Sequence, residues 1–146
     1  MPSASTRSSK RDYEPPIQDA IREVSAGGTP WAAIILCNPN SPTGRTVPAA
    51  ALSKLSDAAS RRGVWVILDE TFAEYAVGCS ISRDVVRRSR VVVLRSFTKF
   101  YALPGLRIGY AIASREVTAR IKELLPPWSV NALAQAAALA ALSGPA

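Results

Sequence analysis

An α/β fold, a mostly parallel sheet with flanking helices, is the class this sequence predicts, and three observations predict it. Short runs that are apolar throughout alternate with longer segments carrying an apolar stripe at helical spacing. The apolar runs are rich in β-branched residues and lack the in–out alternation of a sheet with one wet face, so they read as strands covered on both sides. At 146 residues, with 48% hydrophobic and 20% charged residues, the chain is long enough for one domain with a real core.

Taken in order, residues 1–29 read as a disordered or weakly ordered segment. Its opening eleven residues are Ser-rich, basic and free of acids, which favours a disordered tail over a transit peptide. Residues 17–24 could form an isolated helix before a Gly27-Gly28 linker. The folded domain is expected over 30–146. Residues 32–37 form a strand, and 48–62 a helix with Pro48 in its first turn and Leu52, Leu55 and Ala59 on one face. A second strand covers 64–68, a short helix 81–88 and a third strand 91–94. A fourth strand is expected over 106–113, entered from a Pro104-Gly105 turn. Helices over 115–125 and 130–142 are separated by Pro126-Pro127. Crossover helices make the first three strands parallel, while the short connection before the fourth makes it antiparallel.

The third strand leads into Arg95-Ser96-Phe97-Thr98-Lys99-Phe100-Tyr101-Ala102-Leu103-Pro104-Gly105-Leu106-Arg107. A primary amine on Lys99 can condense with a carbonyl. The hydroxyls of Ser96 and Thr98 and the forked guanidinium of Arg107 can donate to phosphate oxygens. A surface role is the ordinary reading of any one of these side chains in isolation. As a set they suit a cofactor carrying both an aldehyde and a phosphate, and pyridoxal 5'-phosphate fits that description best.

Two other segments end on the same edge of such a sheet. Val64-Trp65-Val66-Ile67-Leu68 delivers Asp69 and Glu70, and in an open α/β sheet ligands sit beyond the carboxyl ends of the strands. A helix cap is the ordinary use of an acid after a strand, and Glu70 reads as a supporting or surface group without assigned chemistry. The strand over 32–37 delivers the turn Asn38-Pro39-Asn40-Ser41-Pro42-Thr43-Gly44.

With these residues in place, the chain resembles the fold-type I pyridoxal-phosphate enzymes, the class I/II aminotransferase superfamily, from about Trp31 to its end. The resemblance implies that the chain is the central part of the large domain. It implies that Lys99 binds the cofactor aldehyde, that Ser96, Thr98 and Arg107 hold its phosphate, and that Asp69 pairs with the protonated pyridine nitrogen. In the family an asparagine before Pro-Thr-Gly bonds the cofactor's phenolic oxygen. Ser41 stands at that position here and Asn40 one residue earlier, so both are candidates. Where histidinol-phosphate and aspartate aminotransferases place a tyrosine three residues after the aspartate, this chain has Phe72. Phe72, Thr98-Lys99-Phe100-Tyr101-Ala102-Leu103-Pro104-Gly105-Leu106-Arg107 and Pro127-Trp128-Ser129-Val130-Asn131 are similar to the L-threonine-O-phosphate decarboxylases of cobalamin biosynthesis.

The expected activity is therefore a decarboxylase of that kind acting on an amino acid, phosphorylated in that branch. A histidinol-phosphate-type aminotransferase and a catalytically inactive truncated remnant are the alternatives. Relatives of this type are more than twice as long, so the sequence is read as a fragment, and a homodimer is what the family implies. The absence of histidine excludes Ser-His-Asp, Cys-His and His-metal chemistry, and two cysteines are too few for a metal cluster. Thiols without a signal peptide make the cytoplasm the default setting. The net charge of +7 is scattered, with pairs such as Arg61-Arg62 at helix ends. A nucleic-acid footprint would be a stripe with interleaved aromatics, and none is present. No apolar run reaches membrane-spanning length.

Overall fold

The computed structural model describes residues 16–27 and 30–143. Its helices are α1 (Ile17–Ala26), α2 (Ala49–Arg61), α3 (Ser82–Val85), α4 (Arg115–Leu124) and α5 (Ala132–Ser143). Its strands are β1 (Ala33–Cys37), β2 (Trp65–Asp69), β3 (Val91–Ser96) and β4 (Gly109–Ala113), with 3-10 turns at Ala73–Tyr75 and Pro104–Leu106. The strands form one sheet in the order β1-β2-β3-β4. The first three are parallel and β4 is antiparallel to β3, the topology expected from the connections. Cys37, Asp69 and Leu94 stand in one row across the sheet, and Ser96 pairs with Gly109.

Local chemistry explains the helix limits. Gly63, at φ 71°, ends the excursion after α2, and the Val64 amide returns to the Ala59 carbonyl at 2.9 Å. Ser114 caps α4 through the Val117 amide, and the Asn131 side chain accepts from the Ala134 amide at the start of α5. The helix expected over 81–88 contracts to the single turn of α3. Beyond it, Arg88 is drawn aside to ion-pair with Asp57 of α2. The fourth strand begins at Gly109 rather than 106, because Pro104–Leu106 coils into a 3-10 turn and Arg107 adopts φ 52°.

One face of the sheet carries the main core. Val66, Leu68, Val91 and Val93 pack beneath Leu52, Ala58 and Ala59 of α2 and Val85 of α3. Val24 of α1 belongs to the same core at 3% exposure. Helix α1 is thus part of the fold, which corrects the reading of 17–24 as an isolated helix in a weakly ordered segment. Residues 1–15, which include the expected tail, lie outside the described residues. On the opposite face, α4 places Val117 and Ile121 against Val92, Ala113 and Trp65. The rest of that face is open, with Ile35 74% exposed and Leu94 40% exposed. Full cover of both faces, expected from the apolar strands, therefore holds only where α4 lies over Val92, Ala113 and Trp65. Helix α5 seats Ala134 and Ala138 against Phe97 and Ile108, under the loop that carries Lys99.

Among the described residues, no helix is long and apolar enough to cross a membrane. No group of three or more His, Cys, Asp or Glu side chains among them could hold a metal ion, and Cys37 and Cys79 are free thiols.

Asn38, fully buried, fastens the turn after β1. Its Nδ2 donates to the carbonyls of Val47 (3.1 Å) and Cys79 (2.8 Å), its Oδ1 accepts from the Val47 amide (2.7 Å), and its own amide donates to Asp69 (2.8 Å). Asn38→Ala would strand those buried partners at about 1–3 kcal/mol for each unsatisfied group. Urea unfolding is expected to show at least that loss for one group.

Candidate functional site at the carboxyl edge of the sheet

Asp69 is the last residue of β2 and is half-buried. Its Oδ1 accepts from the amide (3.0 Å) and hydroxyl (2.6 Å) of Thr71, which fixes the carboxylate's rotamer. Among the described residues Oδ2 has no bond of its own, so one oxygen is left for a ligand.

Ser96 ends β3. Its hydroxyl lies 2.8 Å from that of Thr98 and accepts from the Thr98 amide at 3.1 Å, so the two hydroxyls form one paired group. Asp69 sits opposite Leu94, two residues before Ser96, which puts Asp69 and Ser96 on the same face of the sheet. Strand geometry sets their Cα atoms about 8 Å apart. Phe97, 3% exposed, turns the other way into the α5 cluster and anchors the bend.

Lys99 follows in that bend with its side chain exposed. Its carbonyl accepts from the Ala102 amide (3.1 Å), and Leu103 donates to Phe97 (3.2 Å), so the loop is closed on its own backbone. The Phe97 amide donates to Ile108 at 3.2 Å, one step beyond the Ser96–Gly109 pair. Arg107 therefore directly precedes the residue that closes the base of the loop. The Arg107 side chain is exposed and gives one bond, from Nη1 to the Pro104 carbonyl at 3.1 Å. The structure thus brings Ser96, Thr98, Lys99 and Arg107 onto one loop and sets Asp69 on the neighbouring strand.

The two residues after β1 are placed differently. The Asn40 side chain donates to the Thr43 hydroxyl at 2.7 Å, and its carbonyl accepts from Gly44, so it serves the turn. Ser41 is exposed at the same sheet edge. A cavity of about 410 Å³ opens between Ile108, Gly109, Trp128 and Gln135. It borders the Arg107 end of the loop and contains neither Asp69 nor Lys99.

Beside Lys99 runs an arc of aromatic rings. Phe72 meets Tyr75 at 6.4 Å between centroids, Tyr75 meets Phe100 at 5.4 Å, Phe100 meets Tyr101 at 5.2 Å, and Phe97 joins Tyr101 (5.0 Å) to Tyr110 (5.5 Å). Burial lifts the Tyr110 hydroxyl above its ordinary pKa.

A charged cluster behind Asp69 was not read from the sequence. Glu70, expected as a supporting or surface group, is fully buried. It accepts from Arg95 Nε (3.0 Å) and Nη2 (2.8 Å) and from the Ser80 hydroxyl (2.7 Å), while Arg95 Nη1 reaches Glu74 at 2.7 Å. Burial opposes the charge on Arg95, but its hydrogen bond to Glu74 and the fields of both carboxylates outweigh it and raise its pKa. The one trace in the sequence is an arginine that ends the β3 apolar run and an acid directly after β2.

Arg95→Met would leave Glu70 buried without its counter-charge. Breaking such a pair costs about 3–5 kcal/mol, and denaturant unfolding is expected to read a loss in that range. Burial first, and then the Glu70 charge, also raise the Cys79 thiol pKa, and burial raises that of Cys37. The folded chain therefore holds these protons more tightly than the unfolded one. Their stabilisation is complete below about pH 8.5 and is lost as pH rises through the folded values. Unfolding midpoints taken from pH 7 to 10 should fall on the alkaline side, and less steeply in Cys79→Ala.

Comparison with known proteins bears on this edge. The profile of the family described as "Aminotransferase class I and II" matches residues 14–146. The aromatic amino acid aminotransferase of Rhodococcus erythropolis is 42% identical over 111 residues, covering 75% of this chain and 31% of that protein. The solved structure of the histidinol-phosphate aminotransferase from Clostridium acetobutylicum superposes with a TM-score of 0.79 at 28% identity, over 92% of this chain and 40% of that one. That of L-threonine-O-3-phosphate decarboxylase from Porphyromonas gingivalis gives 0.67 at 32% identity, over 75% and 34%. The chain thus spans about a third of the length of the curated relatives it matches.

Proposed function

The chain belongs to the aminotransferase class I and II family, whose members depend on pyridoxal phosphate, and from that premise we propose that it is the cofactor-holding part of an enzyme that transfers the amino group of an amino acid. The observation that carries this reading is that Asp69 ends β2 beside β3, whose end bears the paired Ser96 and Thr98 hydroxyls and leads into the loop of Lys99 and Arg107.

The residues present fit the cofactor. Asp69 has one oxygen held by Thr71 and one left for a cationic ring nitrogen. The hydroxyls of Ser96 and Thr98, with the Arg107 fork on the same loop, make a donor set suited to a phosphate dianion. Lys99, exposed on that loop, is the amine for the aldehyde. Ser41, exposed after β1, is the candidate donor to the phenolic oxygen, with Asn40 holding its turn. When bound, the cofactor supplies an electron sink for a carbanion at the substrate's α-carbon. Asp69 keeps the ring nitrogen protonated. Lys99 would serve as the base for the substrate's α-proton, the natural role for the amine in a chain without histidine.

Decarboxylation is the second reading. It rests on Phe72, which stands where the family resemblance gives histidinol-phosphate and aspartate aminotransferases a tyrosine, and on the similarity to the Porphyromonas gingivalis decarboxylase. The choice between losing the α-proton and losing carbon dioxide would be set by the groups that grip the substrate's carboxylate. The aminotransferase names of the relatives and the aromatic arc beside Lys99 favour an amino acid with an aromatic side chain. A phosphorylated amino acid is the substrate of the second reading. A homodimer is the assembly that the family reading implies, and two free thiols suit the reducing cytoplasm.

Mixed with pyridoxal phosphate, the purified chain is expected to give a coloured adduct that borohydride fixes to Lys99, located by peptide mass and absent in Lys99→Ala. Arg107→Ala removes a charge-assisted bond of about 1.5–3 kcal/mol, so affinity should fall about ten- to a hundredfold. A borohydride-fixed adduct spread over surface lysines, with Lys99→Ala unchanged, would sink the reading.

A further inference from the structure

We propose that the buried Glu70–Arg95 pair is a positioning device that sets Asp69 and Ser96 at their working separation, an inference that rests on the function proposed above. Glu70 directly follows Asp69, and Arg95 directly precedes Ser96. Side chains alternate along a strand, so the pair lies on the back of the sheet while Asp69 and Ser96 look out from the front. The strand ends are also joined by the Glu70 amide, which donates to the Leu94 carbonyl at 2.9 Å. A shift of either back-face side chain is therefore a shift of the front-face residue beside it.

Three further contacts make Arg95 a hub for the site. Its Nη1 holds Glu74 and its Nη2 holds the Ser80 hydroxyl at 3.0 Å. Both lie on the segment 71–80, which begins with Thr71, the residue that fixes the Asp69 rotamer. On the other side, a Cβ on Gly109 would stand 2.7 Å from the Arg95 carbonyl. Strand β4, which follows Arg107, thus lies as close to the Arg95 backbone as a glycine permits. One guanidinium and its backbone touch the supports of Asp69, Ser96 and Arg107 together.

Stability alone accounts poorly for such a cluster. The cost of stripping water from two buried charges roughly cancels their attraction, and an apolar pair of similar volume does as well or better. Geometry is what the ion pair adds: bonds to one fork fix angle as well as distance.

The test compares Glu70→Gln, which keeps the shape and removes the charge, with Arg95→Lys, which keeps the charge and removes the fork. Leu55→Ala, in the α2 core, serves as a destabilised control. Each variant is titrated with pyridoxal phosphate well below its own unfolding midpoint, and the pH midpoint of the coloured Lys99 adduct is followed beside that of Asp69→Asn. The expected result is about tenfold weaker cofactor binding in both site variants, with the pH midpoint moved in the same direction as in Asp69→Asn. Leu55→Ala should keep the wild-type values. Wild-type affinity and midpoint in both variants, with only their unfolding midpoints lowered, would overturn the positioning role and leave the proposed function standing. Failure of the wild-type chain to form an adduct at Lys99 would overturn both.

Discussion

The register between β2 and β3 is the constraint on which the rest of this structure depends. Asp69 opposite Leu94 puts Asp69 and Ser96 on the open face and Glu70 and Arg95 on the packed one. A slip of one residue would exchange every side chain between faces, bringing two ionised groups forward and driving Asp69 into the aliphatic core. The sequence guards against that slip twice. Val66, Leu68, Val91 and Val93 are each 0% exposed and fit the core only in this phase. Glu70 finds its counter-charge only when Arg95 stands in the same row.

The loop after β3 is held by different means. It contains two non-glycine residues in the left-handed region, Ala102 at φ 53° and Arg107 at φ 52°. Such conformations cost of order 1–3 kcal/mol each and persist only where the surroundings dictate them. Here the surroundings are Phe97, Ile108 and the small alanines of α5, which grip the loop from below, and the Phe97–Ile108 bond, which closes its base. The near-uniform apolarity of α5 then has a reason. Its alanines let a helix approach a loop closely, a job for which long side chains would be too thick. The outward residues Leu133, Leu139 and Leu142 remain exposed.

Much of this was legible in the sequence, and for identifiable reasons. Apolar runs bounded by turn residues located all four strands within a few residues, because strand length and β-branching are local properties. The parallel and antiparallel senses followed from connection length. Limits set by tertiary contacts were not legible. The shortening of α3 depends on Arg88 reaching Asp57, and the late start of β4 on a left-handed Arg107. Helix α1 appeared detachable because the partner that buries Val24 lies across a glycine linker. Of the candidate site, Asp69, Ser96, Thr98 and Arg107 were named from their place at and after strand ends and from the resemblance to the family. Glu70 was undervalued because burial of a charge cannot be read until its counter-ion is known, and Arg95 lies 25 residues away.

The uncovered half of the sheet bears on how tightly the chain could hold a ligand alone. Hydrogen bonds and ion pairs gain strength when water is excluded, yet Lys99 and Arg107 are exposed and the neighbouring Ile35 and Leu94 face solvent. In this setting an anion meets its donors at high effective dielectric, where each contact is worth a fraction of its buried value. Any surface laid over Ile35 and Leu94 would bury apolar area, about 25 cal/mol for each square ångström, and in the same step dry the donors at the sheet edge. Closure of the open face and strengthening of the phosphate and ring contacts are therefore one event. While Ile35 and Leu94 face solvent, the dielectric around these donors is left to whatever covers that face.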